Sequence, residues 1–143
     1  SEQFSDEFRT SPGGYQVMGL IHAPESSLVG EHRQVVSQID IMPTMLGLMG
    51  YNKPYFAFGR DIFGEHESEP ISINYDSNMF QAITADYLIL FDEHKVVAVY
   101  AKDDVKHQNN LLGQVDVSSI ERRLKAMIQS YYSRIEAKNY LVK

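Results

Sequence analysis

The chain contains no cysteine among its 143 residues, which excludes disulfide bonds and thiolate-bound metals. It has no apolar run approaching the roughly 18–20 residues of a membrane-spanning helix, and no segment with the pattern of a signal peptide. Basic residues are also scarce, since 13 lysines and arginines face 19 acidic residues and give a net charge of −6. A phosphate backbone requires a basic face, so this balance argues against nucleic acid as a partner. No contact of this segment itself with a membrane is expected.

The composition is otherwise that of a globular α/β protein. Hydrophobic residues make up 43% of the chain, which is an ordinary share for a folded domain. The length corresponds to one domain or to a part of one. The character of the sequence changes near residue 71, and this change divides the chain into residues 1–70 and residues 71–143. We expect mixed α/β structure in the first part and a small α+β unit in the second.

Four short runs in the second part are rich in β-branched and aromatic residues and are separated by polar turns. This pattern is typical of an antiparallel meander. A small sheet is marginal unless one of its faces is covered, so we expect a helix to pack on it. The predicted strands are Ile71–Tyr75, Phe80–Thr84, Tyr87–Phe91 and Val96–Tyr100.

The C-terminal segment is predicted to supply the covering helix. Ser118 and Glu121 have the spacing of a capping box, in which each side chain binds the backbone amide of the other residue. Apolar residues then recur at spacings of three and four, as on the buried face of an amphipathic helix. That face consists of Ile120, Leu124, Met127, Ile128, Tyr131 and Ile135. Charged residues off this face are expected to be solvated, namely Arg122, Arg123, Lys125 and Glu136.

A second helix is predicted between residues 39 and 50, where apolar residues again recur at spacings of three and four. Asp40 is placed to cap the first free amide groups. Pro43 falls in the first turn, where a missing N–H costs little. Gly50 is placed to end the helix in a left-handed conformation. Gly47, inside the helix, predicts close packing on a neighbouring segment, with a hinge as the alternative.

The segments on either side of this helix are predicted to join it to a larger body. Residues 15–23 are apolar on both faces, as in a buried strand of a parallel sheet, and Pro24 ends that strand. Residues 51–70 have no periodicity and form a long connection. Such connections are usually functional or packed on a larger body, and we favour the second interpretation. Its aromatic residues are expected to pin it to the core, namely Tyr55, Phe56, Phe58 and Phe63.

Three stretches, in this order, resemble the alkaline-phosphatase superfamily in its branch of sulfatases and lipoteichoic-acid-synthase-like proteins. An apolar stretch at residues 17–24 ends in Pro. Residues 37–50 contain Ser-Gln-Ile-Asp, then Pro-Thr with two apolar residues, and end at Gly. Residues 59–63 are Gly-Arg-Asp-Ile-Phe. Residues 108–113 also look like the tail of such proteins. The resemblance covers most of the chain, and most firmly residues 15–113.

The resemblance implies a parent enzyme in which a Thr or Ser nucleophile attacks phosphorus or sulfur. Divalent cations, which would be Mn, Mg, Zn or Ca, neutralise the developing charge. In the family, the nucleophile lies far upstream, and an Asp-His pair that binds metal stands shortly before the strand placed here at residues 15–23. This chain has no Asp-His dipeptide. No catalytic residue, metal ligand or cofactor is therefore assigned to this segment. The positions that match structural residues of the family motifs are Asp40, Pro43, Thr44, Gly50 and Gly59.

Two residues are candidates for contact with an anion or with the edge of an upstream active site. Arg9 lies in an irregular lead-in, where a solvated loop arginine is the alternative. His22 lies at the carboxyl end of the predicted strand, where ligands gather in open α/β sheets. The remaining histidines lack the close spacing of metal ligands and are expected to be ordinary loop and strand residues, namely His32, His66, His94 and His107.

Two functions of different classes are compatible with these observations. In the first, the chain is the C-terminal segment of a metal-dependent sulfatase-like hydrolase or phosphoglycerol transferase. It would be inactive alone and partnered by the upstream catalytic domain of the same parent chain. That parent would be a bacterial protein, membrane-anchored, with an extracytoplasmic catalytic domain. In the second, the chain is a stand-alone, non-catalytic module whose aromatic residues bind glycans. A homo-oligomer is also expected, because residues 15–63 would expose a sheet edge and an apolar face.

Overall fold

The computed structural model describes residues 13–24 and 27–137. A short 3-10 helix at Gly13–Tyr15 is followed by a second at Gln38–Asp40, which runs directly into helix α1 (Ile41–Leu48). A four-stranded sheet and a long C-terminal helix, α2 (Ser118–Glu136), complete the order. The strands are β1 (Ser72–Asp76), β2 (Met79–Ile83), β3 (Tyr87–Phe91) and β4 (Val96–Ala101). Within the described residues, neither α-helix has the length and apolarity needed to cross a membrane.

The sheet is an antiparallel meander in the order β1-β2-β3-β4, which confirms the predicted α+β architecture. Ser77 and Asn78 form the β1–β2 turn with φ angles of 53° and 61°, and two positive φ angles match the right-handed twist of a tight hairpin. At the β3–β4 turn, the Asp92 carboxylate accepts the amides of His94 at 3.0 Å and Lys95 at 2.9 Å. Local turn chemistry therefore sets the register of these two of the three hairpins.

The hydrophobic core lies between one face of the sheet and the first half of α2. Leu124 is fully buried against the sheet, and Ile120 and Ile128 pack beside it. The central residues of this core are Ala82, Ile89, Phe91, Val96, Val99, Val117 and Leu124. The predicted covering helix is thereby confirmed.

The second half of α2 extends past the sheet. Tyr131 and Ile135, which were expected to face the core, are 51% and 40% exposed. A helix spans about 1.5 Å per residue and a strand about 3.3 Å. The 19 residues of α2 are therefore considerably longer than a strand of five, and only part of the predicted apolar face can meet the sheet.

The predicted capping box at the start of α2 is not formed. The helix begins at Ser118 itself, so that Val117 occupies the cap position. The Ser118 amide donates to the Asp116 carboxylate at 2.9 Å, while Glu121 pairs with Lys125 at 2.6 Å. Hydrogen bonds from the side chain and the backbone of Ser118 lower the pKa of Asp116. The preceding aspartate has thus replaced Glu121 as the acidic partner of the helix start.

The strand predicted over residues 15–23 is also not formed. After the 3-10 helix at Gly13–Tyr15, residues 16–23 have no regular structure. Met18 is 95% exposed and Leu20 is 89% exposed. A strand requires a partner for its backbone hydrogen bonds, and the strands of the described residues pair only with one another. Without such a partner, this apolar sequence forms no strand.

Residues 108–113 close the outer edge of the sheet. The Val99 amide donates to the Asn110 side-chain oxygen at 3.1 Å, and the Leu111 amide donates to the Val99 carbonyl at 2.8 Å. Asn110 also accepts the Leu112 amide at 3.0 Å. Unpaired edge groups invite association with other strands, so this stretch protects the β4 edge. At the opposite edge, β1 pairs only with β2 among the described residues.

Candidate functional site

The two most specific stretches of the sequence, residues 37–50 and 59–63, fold against each other as one unit. The Asp40 carboxylate accepts the Ser37 amide at 2.8 Å and the Arg60 amide at 2.9 Å. Asp40 is only 5% exposed. Hydrogen bonds to a charged acceptor are stronger than neutral ones, so this carboxylate links the start of α1 to a segment 20 residues further along the chain.

Asp40 therefore does not have the predicted role of capping α1. No side-chain bond caps the first amides of that helix. The 3-10 helix at Gln38–Asp40 precedes α1 without a break, so the carboxylate reaches back to Ser37 rather than forward into the helix. Its second oxygen is engaged by Arg60. Asp40 therefore links α1 to the segment that contains Arg60. It also caps the 3-10 helix locally, by accepting the amide of Ser37.

Thr44 makes a second link between the same two segments. Its hydroxyl donates to the Asp40 carbonyl at 2.6 Å and accepts the Ile62 amide at 3.1 Å. The side chain is almost completely buried, as is that of the neighbouring Pro43. A buried hydroxyl needs its partners, and here both belong to this unit. The Thr44 hydroxyl thus makes both of its hydrogen bonds within the fold.

Glycines permit the close approach of the two segments. A Cβ atom at Gly59 would overlap the carbonyl group of Ile39, and a Cβ atom at Gly47 would overlap the Asp61 carboxylate. Close packing at Gly47 is therefore confirmed, in preference to a hinge. No side chain larger than hydrogen fits at Gly59 unless the backbone moves.

The end of α1 is also as predicted. Gly50 has a φ of +66°, the left-handed conformation that glycine adopts most easily. The Tyr51 amide donates to the Leu46 carbonyl at 2.9 Å, and the Gly50 amide donates to the Gly47 carbonyl at 2.9 Å. These two bonds form a Schellman motif. The helix therefore ends where the chain turns toward the long connection.

The long connection is attached to the second half of α2. The Arg134 guanidinium lies 3.6 Å from the centre of the Phe56 ring, and the Phe58 and Tyr131 rings are 5.9 Å apart. Cation–π and aromatic contacts of this kind add to the energy of burial. Phe56 and Phe58 thus pin the connection to the helix beyond the sheet, and the prediction that they pin it to the core is wrong. Tyr55 is exposed.

Of the two predicted anion-contact residues, only His22 belongs to the part of the chain that the structure describes. His22 lies exposed in the irregular segment before residue 25, and Arg9 lies outside the described residues. His32 packs edge-on against Phe63, with ring centres 5.2 Å apart, and His107 stacks on Tyr100 at 4.9 Å. Within the described part of the chain, no group of three or more His, Asp or Glu side chains is arranged to hold a metal ion.

A shallow groove of about 340 Å³ borders the linked unit and contains an arginine that the sequence did not single out. The Nη2 atom of Arg60 is buried and has no hydrogen-bond partner among the described residues. The groove is lined by Gln34, Arg60, Ile62, Gly64, His66, Glu67, Ser68, Glu69 and Pro70. In the sequence, Arg60 was only the polar residue of Gly-Arg-Asp, and nothing local indicated that part of its guanidinium would be buried.

Arg123 approaches the same region from α2, although it was expected to be solvated. Its guanidinium donates to the Glu69 carbonyl, and its side chain is half-buried. Burial, followed by the neighbouring positive charge of Arg60, lowers the pKa of Arg123, while Asp40 and Glu69 oppose that effect. Arg123 is therefore held by the backbone of Glu69, a residue of the groove that Arg60 also lines.

Comparisons with protein-family models, with curated proteins and with solved structures find no match to this chain.

Proposed function

We propose that this chain is the C-terminal segment of a metal-dependent enzyme similar to sulfatases and lipoteichoic-acid-synthase-like phosphoglycerol transferases. The observation that supports this most is the linkage of Asp40 to Arg60. Two of the stretches that carry the resemblance, residues 37–50 and 59–63, are separated in sequence. Their polar residues nevertheless bond to each other, and their glycines allow the two stretches to pack closely. Asp40, Thr44 and Gly59 thus all serve to join residues 37–50 to residues 59–63. A structural role of this kind is expected for a family motif that contains no catalytic residue.

The exposed apolar surface of the first part of the chain also supports the proposal. Met18 and Leu20, in the segment before residue 25, and Met49, at the end of α1, are among the most exposed large apolar side chains. Large exposed apolar patches commonly mark an interface. In the proposal, the upstream catalytic domain of the parent chain covers it, and residues 15–23 become a strand when they pair with that domain.

The proposed parent supplies the chemistry that this segment lacks. Its nucleophile, a Thr or Ser, and its divalent cation, Mn, Mg, Zn or Ca, would lie upstream and act on a sulfate or phosphate ester. The catalytic domain would stand on the extracytoplasmic side of a bacterial membrane, anchored by helices upstream. The role of the present segment would be to complete the fold of that domain.

A direct test extends the reading frame upstream of Ser1 and compares the longer protein with the present chain. The longer sequence should carry an Asp-His pair and should hydrolyse p-nitrophenyl phosphate or sulfate, or release glycerol phosphate from phosphatidylglycerol, only with a divalent cation. The present chain should do neither with any of the four metals. Metal-dependent turnover by the present chain, abolished by replacing one of its histidines, would overturn the proposal.

The alternative of a stand-alone glycan-binding module is favoured by one observation. Tyr51 and Tyr55 form an exposed aromatic pair with ring centres 6.1 Å apart, and Tyr131 and Tyr132 form another at 5.7 Å. Exposed aromatic faces can stack on sugar rings. Titration of the chain with bacterial cell-wall oligosaccharides, followed by tyrosine fluorescence, distinguishes the two functions, because saturable binding is expected only for the module.

A further inference from the structure

The two edges of the sheet differ in how they are protected. Residues 108–113 close the β4 edge, where Val99 bonds to Asn110 and Leu111. At the other edge, β1 pairs only with β2 among the described residues. Proteins commonly block an edge strand with lysine, proline, a bulge or a covering segment. The sequence of β1 contains neither lysine nor proline, and its register with β2 is regular along all five residues. The β1 edge is therefore suited to pairing with a further strand.

The β1–β2 turn determines which backbone groups of β1 point outward. Only two residues separate the paired positions Asp76 and Met79, and the residues that flank such a turn exchange backbone hydrogen bonds. Hydrogen-bonded and non-hydrogen-bonded pairs alternate along an antiparallel ladder. Every second residue counted back from Asp76 therefore bonds to β2, whereas Ile73 and Tyr75 direct their amide and carbonyl groups away from it.

The side chains of β1 give its two faces different characters. Ile73 packs against the core, and Tyr75 lies against Phe80 with ring centres 4.8 Å apart. Both side chains therefore lie on the face of the sheet that carries the core, since alternate residues of a strand share a face. Tyr75 is nevertheless 55% exposed, while Asn74 lies on the opposite face. A strand added to this edge would cover the exposed tyrosine ring.

We propose that β1 is the contact surface for a second copy of this chain, whose own β1 adds to the sheet in antiparallel orientation around a two-fold axis. Such an axis brings the same surface of both copies together. In the register that uses the whole strand, Asn74 lies opposite its counterpart. Ile73 then lies opposite Tyr75 of the second copy, and Ser72 lies opposite Asp76. The two four-stranded sheets become one continuous sheet.

A second copy is favoured over an unrelated strand because β1 complements itself at each position. Ile73 and Tyr75 are the residues with outward backbone groups, and they meet as two pairs of an aliphatic and an aromatic side chain, which stabilise a sheet. The Asn74 amide both donates and accepts hydrogen bonds, so the two copies of it can bond to each other. The only charged residue of β1, Asp76, lies at one end of the strand, so the two carboxylates stand at opposite ends of the contact and do not repel each other.

This contact is separate from the proposed function. The apolar surface assigned there to an upstream domain belongs to residues 15–23 and to α1, whereas β1 belongs to the sheet. Failure of either proposal therefore leaves the other intact.

Disulfide cross-linking tests the contact directly, because the chain contains no cysteine of its own. Directly opposite residues of a non-hydrogen-bonded antiparallel pair have Cα atoms about 4.5 Å apart, a distance that a disulfide can span. Asn74→Cys should therefore form a covalent dimer on mild oxidation. Ser72→Cys is the matched control on the same face of the same strand, since its counterpart lies about 13 Å away along the paired strands. We expect Asn74→Cys to cross-link at least about ten times faster than Ser72→Cys.

Equal rates for the two variants would overturn the proposal, because chance collisions do not distinguish the two positions. A mixture of Ser72→Cys and Asp76→Cys checks the register, since these positions lie opposite each other only between copies. The mixture should cross-link, and neither variant should do so alone. The Asn74→Cys cross-link should also persist when Met45→Glu places a charge on the exposed face of α1. Its loss there would assign the contact to α1 and contradict the edge pairing.

A second measurement needs no cysteine. Lysine on an edge strand is a common block to edge pairing, so Tyr75→Lys should raise the dissociation constant of the dimer about tenfold, because each dimer loses two aromatic pairs. Gln129→Lys adds the same charge at an exposed position of α2 and should leave the constant unchanged. Sedimentation velocity over a dilution series measures both. The same constant for Tyr75→Lys and Gln129→Lys, or a wild-type chain that stays monomeric at every concentration, would overturn the proposal.

Discussion

The Asp40 carboxylate and the Arg60 amide lie 2.9 Å apart, although 20 residues separate them in the chain. The other oxygen of the same carboxylate holds the Ser37 amide. One buried side chain thus fixes both the entry of α1 and the middle of the long connection. Since both amides lose their acceptor together, the unit should depend more on Asp40 than on any single hydrogen bond.

Replacement of Asp40 should therefore be costly. We expect Asp40→Ala to lower the free energy of unfolding by about 2–4 kcal/mol, because one buried and one partly buried amide lose a charged acceptor. Asp40→Asn keeps one acceptor oxygen and should cost less. Urea denaturation measures both values. Asp103→Ala, at an exposed position, is the control and should stay within about 0.5 kcal/mol of the wild type. A similar loss for Asp40→Ala and Asp103→Ala would contradict the linking role.

The close approach at Gly59 gives a second prediction. A methyl group there would overlap the Ile39 carbonyl group, and the strain of overpacking typically costs about 1–3 kcal/mol. Gly59→Ala should lower the free energy of unfolding by at least that amount. Gly64→Ala is the matched control, since its added Cβ would meet its nearest neighbour at 3.4 Å, close to ordinary contact. If Gly64→Ala proved as harmful as Gly59→Ala in thermal melts, the packing interpretation would fail.

The buried face of α2 gives a third prediction. Leu124 is fully buried in the core, and truncation of a buried leucine to alanine costs about 2–5 kcal/mol. Gln129→Ala, at an exposed position of the same helix, should change the free energy of unfolding by no more than about 0.5 kcal/mol. Both values come from denaturant melts. Equal effects would mean that the helix does not cover the sheet. Arg123→Ala is unsuitable as the neutral control, because Arg123 binds the Glu69 carbonyl.

Asp104 gives a prediction for the stability of the chain at low pH. The Asn109 amide donates to its carboxylate at 2.8 Å and the Gln108 amide at 3.1 Å, and these bonds lower the pKa of Asp104 below its ordinary value of 3.8. A depressed folded-state pKa means that the unfolded chain takes up the proton first. The contribution of Asp104 to stability is therefore complete above its ordinary pKa and is lost as the pH falls through its folded-state pKa.

The comparison of wild type with Asp104→Asn tests this sign. Melts between about pH 5 and pH 2 should show the wild type losing its advantage over the variant as the pH falls. A constant difference between the two proteins over that range would show that the carboxylate charge has no part in holding the turn at residues 104–109.

The exposed face of α1 gives a prediction of self-association. Met42 and Met45 lie on the apolar face that residues 15–63 were expected to expose, and both are exposed. Exposed apolar surface favours association. The chain should form dimers or larger oligomers at high concentration, as measured by light scattering. A charge placed on this face by Met45→Glu should reduce the association. Tyr132→Glu, a comparably exposed position on α2, should leave it unchanged. A wild-type chain that remains monomeric over a wide concentration range would exclude this surface as an interface.

The meander and its covering helix could be predicted because their signals are local. Alternation of apolar and polar residues specifies the strands. A two-residue turn specifies the β1–β2 hairpin and an aspartate turn specifies the β3–β4 hairpin, both without reference to the rest of the chain. The Schellman end of α1 at Gly50 is local in the same sense. These features depend on residues no more than five apart, and such relations are visible in a sequence.

The features that were missed depend on distant partners. Asp40 is a residue type that commonly caps helices, but one of its carboxylate oxygens accepts a hydrogen bond from a residue 20 positions away. Residues 15–23 have the composition of a strand, but a strand forms only where another strand is available. Arg123 lies off the apolar face of α2 and is half-buried because the long connection covers it. None of these partners could be identified from spacing alone.

Helix α2 has a consequence for how the whole chain melts. Its first half is embedded in the sheet core, and its second half holds the connection through Phe56 and Phe58. We therefore expect that the change in sequence character near residue 71 does not divide the chain into two independently melting units. Loss of the sheet would release the helix, and loss of the helix would release the connection. We expect the linked unit and the sheet to disappear together in a single transition, with the same midpoint by circular dichroism and by the environment of the Phe58–Tyr131 pair.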